Sequence, residues 1–169
     1  MNIKEYPISS AVPLGTQEYF TFLLEGIKSA KRRVYASIFI INPRVFDDVD
    51  LQIRTLIRAL SAATKRRVDV KILNGGSDTP DIFSANYVSH HFLKTMNIQT
   101  RKFNSKATNN LHSKYCLIDD ELNIVGSANW SPGAVSHHVE DSIAVYSKKL
   151  NAELTKRFVA NWNTSSDTY

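Results

Sequence analysis

Three short runs rich in β-branched and aromatic residues, Val34 to Ile41, Val68 to Leu73 and Ile98 to Phe103, each follow a stretch whose apolar residues recur at helical spacing. The first stretch, Thr16 to Ala30, carries Phe20, Leu23, Leu24 and Ile27; the second starts at Asp50 and carries Ile53, Leu56, Ile57 and Leu60; the third runs roughly from Asp81 to Met96. Thr16 and Asp50 are the predicted N-caps, and Asn42-Pro43 and Asn74-Gly75-Gly76-Ser77 end the strands before them. Strands alternating with helices of this length predict βαβ units around a parallel sheet. The second half of the chain changes character. Tyr115 to Ile118 and Leu122 to Val125 flank Asp119-Asp120-Glu121 as a hairpin, Ser142 to Tyr146 is a further strand, and Leu150, Leu154, Phe158 and Trp162 stripe a C-terminal helix. The predicted fold is therefore α/β, a mixed β-sheet flanked by helices, and 169 residues suit one domain over 1–169.

Several classes are excluded early. The apolar run at Val34 to Ile41 is far shorter than the ~20 residues of a membrane span, so no integral membrane segment is expected. Met1 to Gly15 has no apolar core of a secretory signal, and a cytoplasmic location follows unless a leader has been removed. One cysteine, Cys116, rules out a disulfide framework and a cysteine-rich zinc site. The net charge of +5 favours polyanionic partners, and its distribution sharpens the point. Arg101 to Lys114 reads RKFNSKATNNLHSK, with cations and no acid. Arg101, Lys102 and Lys106 are the candidate backbone contacts there. Lys31-Arg32-Arg33 and Lys65-Arg66-Arg67 read as solvated helix ends that complement the dipole.

Chemistry is concentrated in LHSKYCLIDDELNIVGSANW, which begins at Leu111. Residues two apart share a face of a strand, so His112 projects with Lys114 and Ser127 with Asn129. A hairpin closed by Asp120-Glu121 sets Asp119 opposite Leu122, His112 opposite Asn129 and Lys114 opposite Ser127. That pairing gathers an imidazole, an ammonium, a hydroxyl and a carboxamide on one patch. Asp119 falls on the other face or in the turn. The patch suits a phosphodiester: Lys114 places charge on non-bridging oxygens, Asn129 and Ser127 donate hydrogen bonds, and an imidazole can attack phosphorus. Clustered carboxylates of the kind a magnesium site prefers are missing from the patch.

The pattern His-x-Lys-x4-Asp-x6-Gly-Ser-x-Asn resembles the HKD motif of the phospholipase D superfamily, through His112, Lys114, Asp119, Gly126, Ser127 and Asn129. A chance match has odds on the order of a few in a million. Length and layout resemble the small single-motif, homodimeric endonucleases of that superfamily, and Glu140 stands where they carry an acid fourteen residues after the motif glycine. The resemblance implies a phospholipase D-like fold and a catalytic set of His112, Lys114, Ser127, Asn129, Glu140 and Asp119. His112 would form a phosphohistidine, Lys114 and Asn129 would hold phosphate oxygens with support from Ser127, and Glu140 would bond the far imidazole nitrogen. Asp119 reads as structural on its alternation. The family mechanism uses two histidines and this chain has one motif, so the implied enzyme is a homodimer with a composite site. It would be a metal-independent phosphodiesterase, a sequence-nonspecific nuclease acting on DNA or RNA, with no cofactor.

Other readings stay open at this point. The same chemistry could act on phospholipid head groups, with Phe83 and Tyr87 facing the bilayer, or the scaffold could bind nucleic acid without turnover. Glu140-Asp141 could be an ordinary charged strand start. His90-His91 and His137-His138 diverge as neighbours and read as structural, Cys116 as a packed thiol, the Asn74 to Ser77 loop as a simple turn, and Asp47, Asp48 and Asp50 as acids at a helix start.

Overall fold

A computed structural model describes residues 4–44, 51–77, 79–104 and 110–169. Asp47, Asp48, Asp50 and Lys106 lie outside these described residues. In chain order the elements are β1 (Ser10–Leu14), α1 (Thr16–Ser29), β2 (Arg33–Ile38), α2 (Leu51–Lys65), β3 (Asp69–Asn74), α3 (Pro80–Thr95) and β4 (Gln99–Lys102). They continue as β5 (Lys114–Ile118), β6 (Leu122–Gly126), α4 (Pro132–Ser136), β7 (Ser142–Tyr146) and α5 (Lys148–Asn163).

The strands form one seven-stranded sheet in the order β1-β7-β6-β5-β2-β3-β4. Strands β2, β3 and β4 are parallel, as the helix–strand alternation predicts, whereas β5, β6, β7 and β1 run antiparallel. The expected mixed α/β sheet is the observed one. Strand β1 was not legible beforehand, because Pro13 interrupts its apolar pattern; an edge position tolerates a proline that a central strand would not.

Alternating side chains divide the core into two layers. On one face Val34, Ala36, Ile38, Cys116, Ile118 and Ile124 pack beneath Leu23 and Ile27 of α1, Leu56 and Leu60 of α2 and Leu93 of α3. On the other face Tyr35, Leu73 and Leu117 pack against Phe158 and Trp162 of α5. Burying a side chain such as Leu23 or Ile27, both fully enclosed, stabilises the fold by about 1.5–3 kcal/mol. Sandwiched this way, β2 and β5 are rigid, and their ends are well placed to carry a site. The described residues contain no helix long and apolar enough to cross a membrane.

The hairpin register differs from the expected one. Ile118 pairs with Leu122 and Tyr115 with Val125, so the loop holds three residues, Asp119 to Glu121. Asp119 takes the left-handed backbone conformation (φ 52°), which this short-polar residue type tolerates. Its carboxylate then accepts from the backbone N–H groups of Lys31, Arg32 and Arg33. The Lys31-Arg32-Arg33 run just after α1 is thus tied to the hairpin through its backbone, and Arg32 and Arg33 both pair with Asp120, while the Lys31 and Arg32 side chains stay exposed as expected.

Candidate active site

Five strand termini meet at one end of the sheet. Parallel β2 and β3 end there; antiparallel β5 begins there, with Lys114 opposite Ile38. The chain also leaves β6 and enters β7 there, with Gly126 opposite Ser142. In open α/β sheets the crevice beyond the carboxyl ends of parallel strands, where the strand order reverses, is where ligands bind.

His112, Lys114, Ser127, Asn129 and Glu140 all reach this end. Lys114 is 9% exposed. Its Nζ donates to the His112 carbonyl oxygen at 2.8 Å and lies 3.2 Å from Nδ1 and 3.4 Å from Nε2 of the same residue. Burial lowers the Lys114 pKa below the usual lysine range, and the nearby Glu140 charge partly opposes this. The His112 ring is exposed and rests on Phe39, with ring centroids 4.6 Å apart. Lys114 Nζ sits 5.0 Å from the same Phe39 ring. One aromatic surface thus braces both the imidazole and the ammonium.

Phe39 is itself held. Asn86 of α3 donates to the carbonyls of Phe39 and Gly75, both at 2.9 Å, and accepts from the Ile41 N–H. A Cβ on Gly75 would lie 2.4 Å from the Phe39 carbonyl oxygen, so only glycine admits this approach. The Asn74 to Ser77 loop, read from sequence as a turn, therefore also buttresses the site.

The second side is organised by backbone ties. Asn129 accepts from the Ile40 N–H at 3.1 Å, which leaves its NH2 as the end able to donate to a ligand. Trp130 donates its N–H to the Ile40 carbonyl, and its carbonyl accepts from Asn42 N–H. Ser127 donates to the Glu140 carboxylate. Thr16 accepts from the Glu140 N–H at 3.0 Å and donates to the His138 carbonyl at 3.1 Å. The hydroxyl of Thr16 thus fixes the Glu140 loop instead of capping α1, whose N-cap is Gly15.

Opposition of Lys114 to Ser127 across the hairpin is not what assembles this site. With Tyr115 paired to Val125, continuing the register sets Lys114 against Gly126, and a one-residue slip exchanges faces. Ser127 and Asn129 arrive because the chain turns away from β6 after Gly126 and is tied to residues 40–42 and 140–141. A Cβ at Gly126 would meet Ser142 Oγ at 1.9 Å, so the glycine lets β7 close over this exit.

Other sequence-derived assignments fall differently. Asp119 occupies the hairpin loop at the opposite end of β5, seven residues from His112 and on the order of 20 Å away along the chain path. It is not part of the reactive group. Within one chain the Glu140 carboxylate pairs with Ser127 and lies 3.7 Å from His138 Nδ1; it makes no bond to the His112 ring. Arg101 alternates onto the α5 side, where it donates to Asp167 and the Trp162 carbonyl and stacks on the Trp162 ring. Lys102 alternates to the other face. Cys116 is fully enclosed, and burial pushes its thiol pKa up, as expected of a packed thiol. Phe39 and Asn86 carried no sequence signal and Thr16 only that of a helix cap, because their roles come from contacts between distant segments. No group of three or more His, Cys, Asp or Glu side chains suited to a metal is gathered among the described residues.

The family described as cardiolipin synthase, PLD-like domain, matches residues 23–162. This chain belongs to the phospholipase D superfamily. The superfamily match covers both halves of the site, from the helix before β2 to α5. Among solved structures, the phospholipase D family member Nuc from Salmonella typhimurium superposes with a TM-score of 0.75 at 20% identity, covering 92% of this chain and 95% of that one. NucT from Helicobacter pylori gives 0.75 at 17% identity, covering 93% and 98%. These likenesses establish the phospholipase D-like fold. By sequence, the mitochondrial cardiolipin hydrolase of Danio rerio is 26% identical over 162 residues, 96% of this chain. The chain spans 65% of the length of that relative.

Proposed function

We propose that the protein is a phosphodiesterase that cleaves nucleic acid through a covalent His112 intermediate, without a divalent ion, in a homodimer. The observation that carries this reading is the meeting of His112, Lys114, Ser127, Asn129 and Glu140 at one end of the sheet. The Lys114 ammonium and the Asn129 amide supply positive charge and a donor for the non-bridging oxygens. The exposed His112 imidazole is free to attack phosphorus. As the N–P bond forms, the bond from phosphorus to the leaving oxygen breaks. The proton that oxygen needs comes from a second imidazole, and a single copy of the motif carries only one, His112. Water then attacks the phosphohistidine, gives its proton back to that second imidazole, and releases the phosphate product.

A second copy supplies the missing ring. Val139 is 93% exposed beside Glu140, and Val125 and Ile143, opposed across β6 and β7, also leave apolar surface at this end. Association of two copies around a two-fold axis would cover such surface and bring both His112 rings to one phosphorus. It would also bring a His112 imidazole within reach of each Glu140 carboxylate, which in its own chain lies 3.7 Å from His138 Nδ1. Charge favours nucleic acid as substrate: the chain carries +5, and Lys102 extends the row that starts at Lys114. The phosphodiester of a phospholipid is the second reading, supported by the likeness to the cardiolipin hydrolase of Danio rerio.

Turnover of single-stranded DNA quenched in alkaline denaturant, which spares the acid-labile P–N bond, followed by peptide mass spectrometry tests the intermediate. A phosphoryl adduct on the peptide containing His112 is the expected result. An adduct on another residue, or turnover with no covalent species under single-turnover sampling, contradicts it.

A further inference from the structure

Helix α3 is built the wrong way round for an amphipathic helix. Its buried residues are Asn86, Ser89, His90 and Leu93, whereas Phe83 and Tyr87 are 39% and 44% exposed. The polar inner face has a clear role, since Asn86 and Ser89 bond the ends of β2 and β3. Outside, Phe83 and Tyr87 pack on one another and on Tyr169, and Tyr87 also on His91 at 4.5 Å, yet both rings keep exposed surface. Exposed large apolar groups of this kind, unlike scattered single ones, mark interaction surfaces.

Phe83 and Tyr87 stand one turn apart with nearly parallel rings, 6.1 Å between centroids and 19° between planes. Tyr169 closes edge-on against both, at 5.6 and 5.9 Å. Lys102 Nζ lies over this group, 4.7 Å from the Tyr169 ring and 5.6 Å from the Phe83 ring. The position relative to the active site is fixed by strand register. Lys102 pairs with Asn74, Asn74 with Ile38, and Ile38 with Lys114. Three interstrand steps separate the two ammonium-bearing residues, about 14 Å, on the order of four nucleotides of a stacked strand. The two places are also in contact through the protein: Tyr169 donates to the Gly75 carbonyl at 3.0 Å, and Gly75 presses on Phe39 beneath His112.

We propose that Phe83 and Tyr87, with Lys102, form a stacking platform for unpaired bases of a single-stranded nucleic acid whose backbone continues to Lys114. This rests on the nucleic-acid reading above and makes its substrate class specific. Flat ring faces take any base, and a cation beside them holds the backbone; these are the elements of sequence-tolerant single-strand binding. A bilayer-inserting face would be broad and apolar. Here two half-buried rings are flanked by Asp81, His91 and Lys94, all exposed.

Fluorescence anisotropy with a cleavage-resistant phosphorothioate oligothymidylate of about twelve nucleotides, and with an abasic strand of equal length and linkage, tests the platform. Phe83→Leu/Tyr87→Leu keeps apolar bulk but removes the π faces, and Tyr87→Phe keeps the ring. The leucine pair is expected to bind oligothymidylate roughly ten-fold or more weakly, to lose the wild-type preference for thymidylate over the abasic strand, and to bind the abasic strand as wild type does. Tyr87→Phe should bind like wild type. Unchanged affinity in the leucine pair overturns the platform, as does an equal loss on the abasic strand. A loss confined to cardiolipin-containing vesicles would assign the rings to lipid and also overturn it. Wild-type protein that binds no oligonucleotide would instead defeat the nucleic-acid reading itself, a separate outcome.

Discussion

The two ends of the β5–β6 hairpin carry residues of one sequence motif and treat their charges in opposite ways. At the loop end, the Asp119 carboxylate is saturated by the N–H groups of Lys31, Arg32 and Arg33, and Asp120 is paired with arginines. At the other end, Lys114 is pulled out of water with no carboxylate bonded to it, and its pKa is lowered accordingly. A charge paired within the chain fixes the fold; one without a bonded counter-charge is ready for a ligand. Spacing in a motif does not distinguish these roles.

The sharpest break between the two ends is His112→Ala. Turnover should fall by at least about 10⁴-fold, while the urea midpoint stays close to wild type because the ring is exposed. Mixed with wild-type chains, the variant should form heterodimers with almost no activity; full activity from a monomeric fraction would dissolve the composite site. Lys114→Met comes next, at about 10²–10³-fold in kcat/KM. Desolvation depresses the Lys114 pKa, so its charge is lost at a lower pH than an ordinary lysine's. The alkaline limb of kcat/KM, which reports the free enzyme, should therefore begin below the usual lysine range. Glu140→Gln removes the charge that partly restores that pKa and should move the limb lower still.

Gly75→Ala drives a methyl group into Phe39 and should cost on the order of ten-fold in kcat through misplacement of His112. At the loop end the pattern reverses. Asp119→Ala should destabilise the protein by about 1–3 kcal/mol in urea unfolding, with kcat nearly unchanged. Asp119→Asn, which keeps an acceptor and tolerates the left-handed backbone, should recover part of that stability. A large loss of kcat in folded Asp119→Ala would erase the distinction between the two ends.

Much of this was legible in the sequence. Parallel β2, β3 and β4 follow from helix–strand alternation. The motif picks out His112, Lys114, Ser127 and Asn129, which the fold brings to one end of the sheet, along with Asp119, which it does not. Register was not. Asp-Glu is a poor two-residue turn, and the observed three-residue loop depends on Asp119 bonding backbone groups almost ninety residues earlier. The site assembles despite the altered pairing because the segment after Gly126 is tied to residues 40–42, a long-range contact that no local periodicity encodes. Phe39, Asn86 and Gly75 were hidden for the same reason. Lys31 and Arg32 are exposed as their charge suggests, but the backbone bonds of Lys31-Arg32-Arg33 to Asp119 and its pairing with Asp120 were hidden because those acids lie in a distant hairpin.

Hydrolysis of single-stranded DNA in excess EDTA, by wild type and His112→Ala in parallel, puts the imidazole chemistry most directly at risk. Undiminished cleavage by wild type and none by the variant is the result this account requires. Cleavage abolished by the chelator and restored by magnesium, or persisting in the variant, would contradict it.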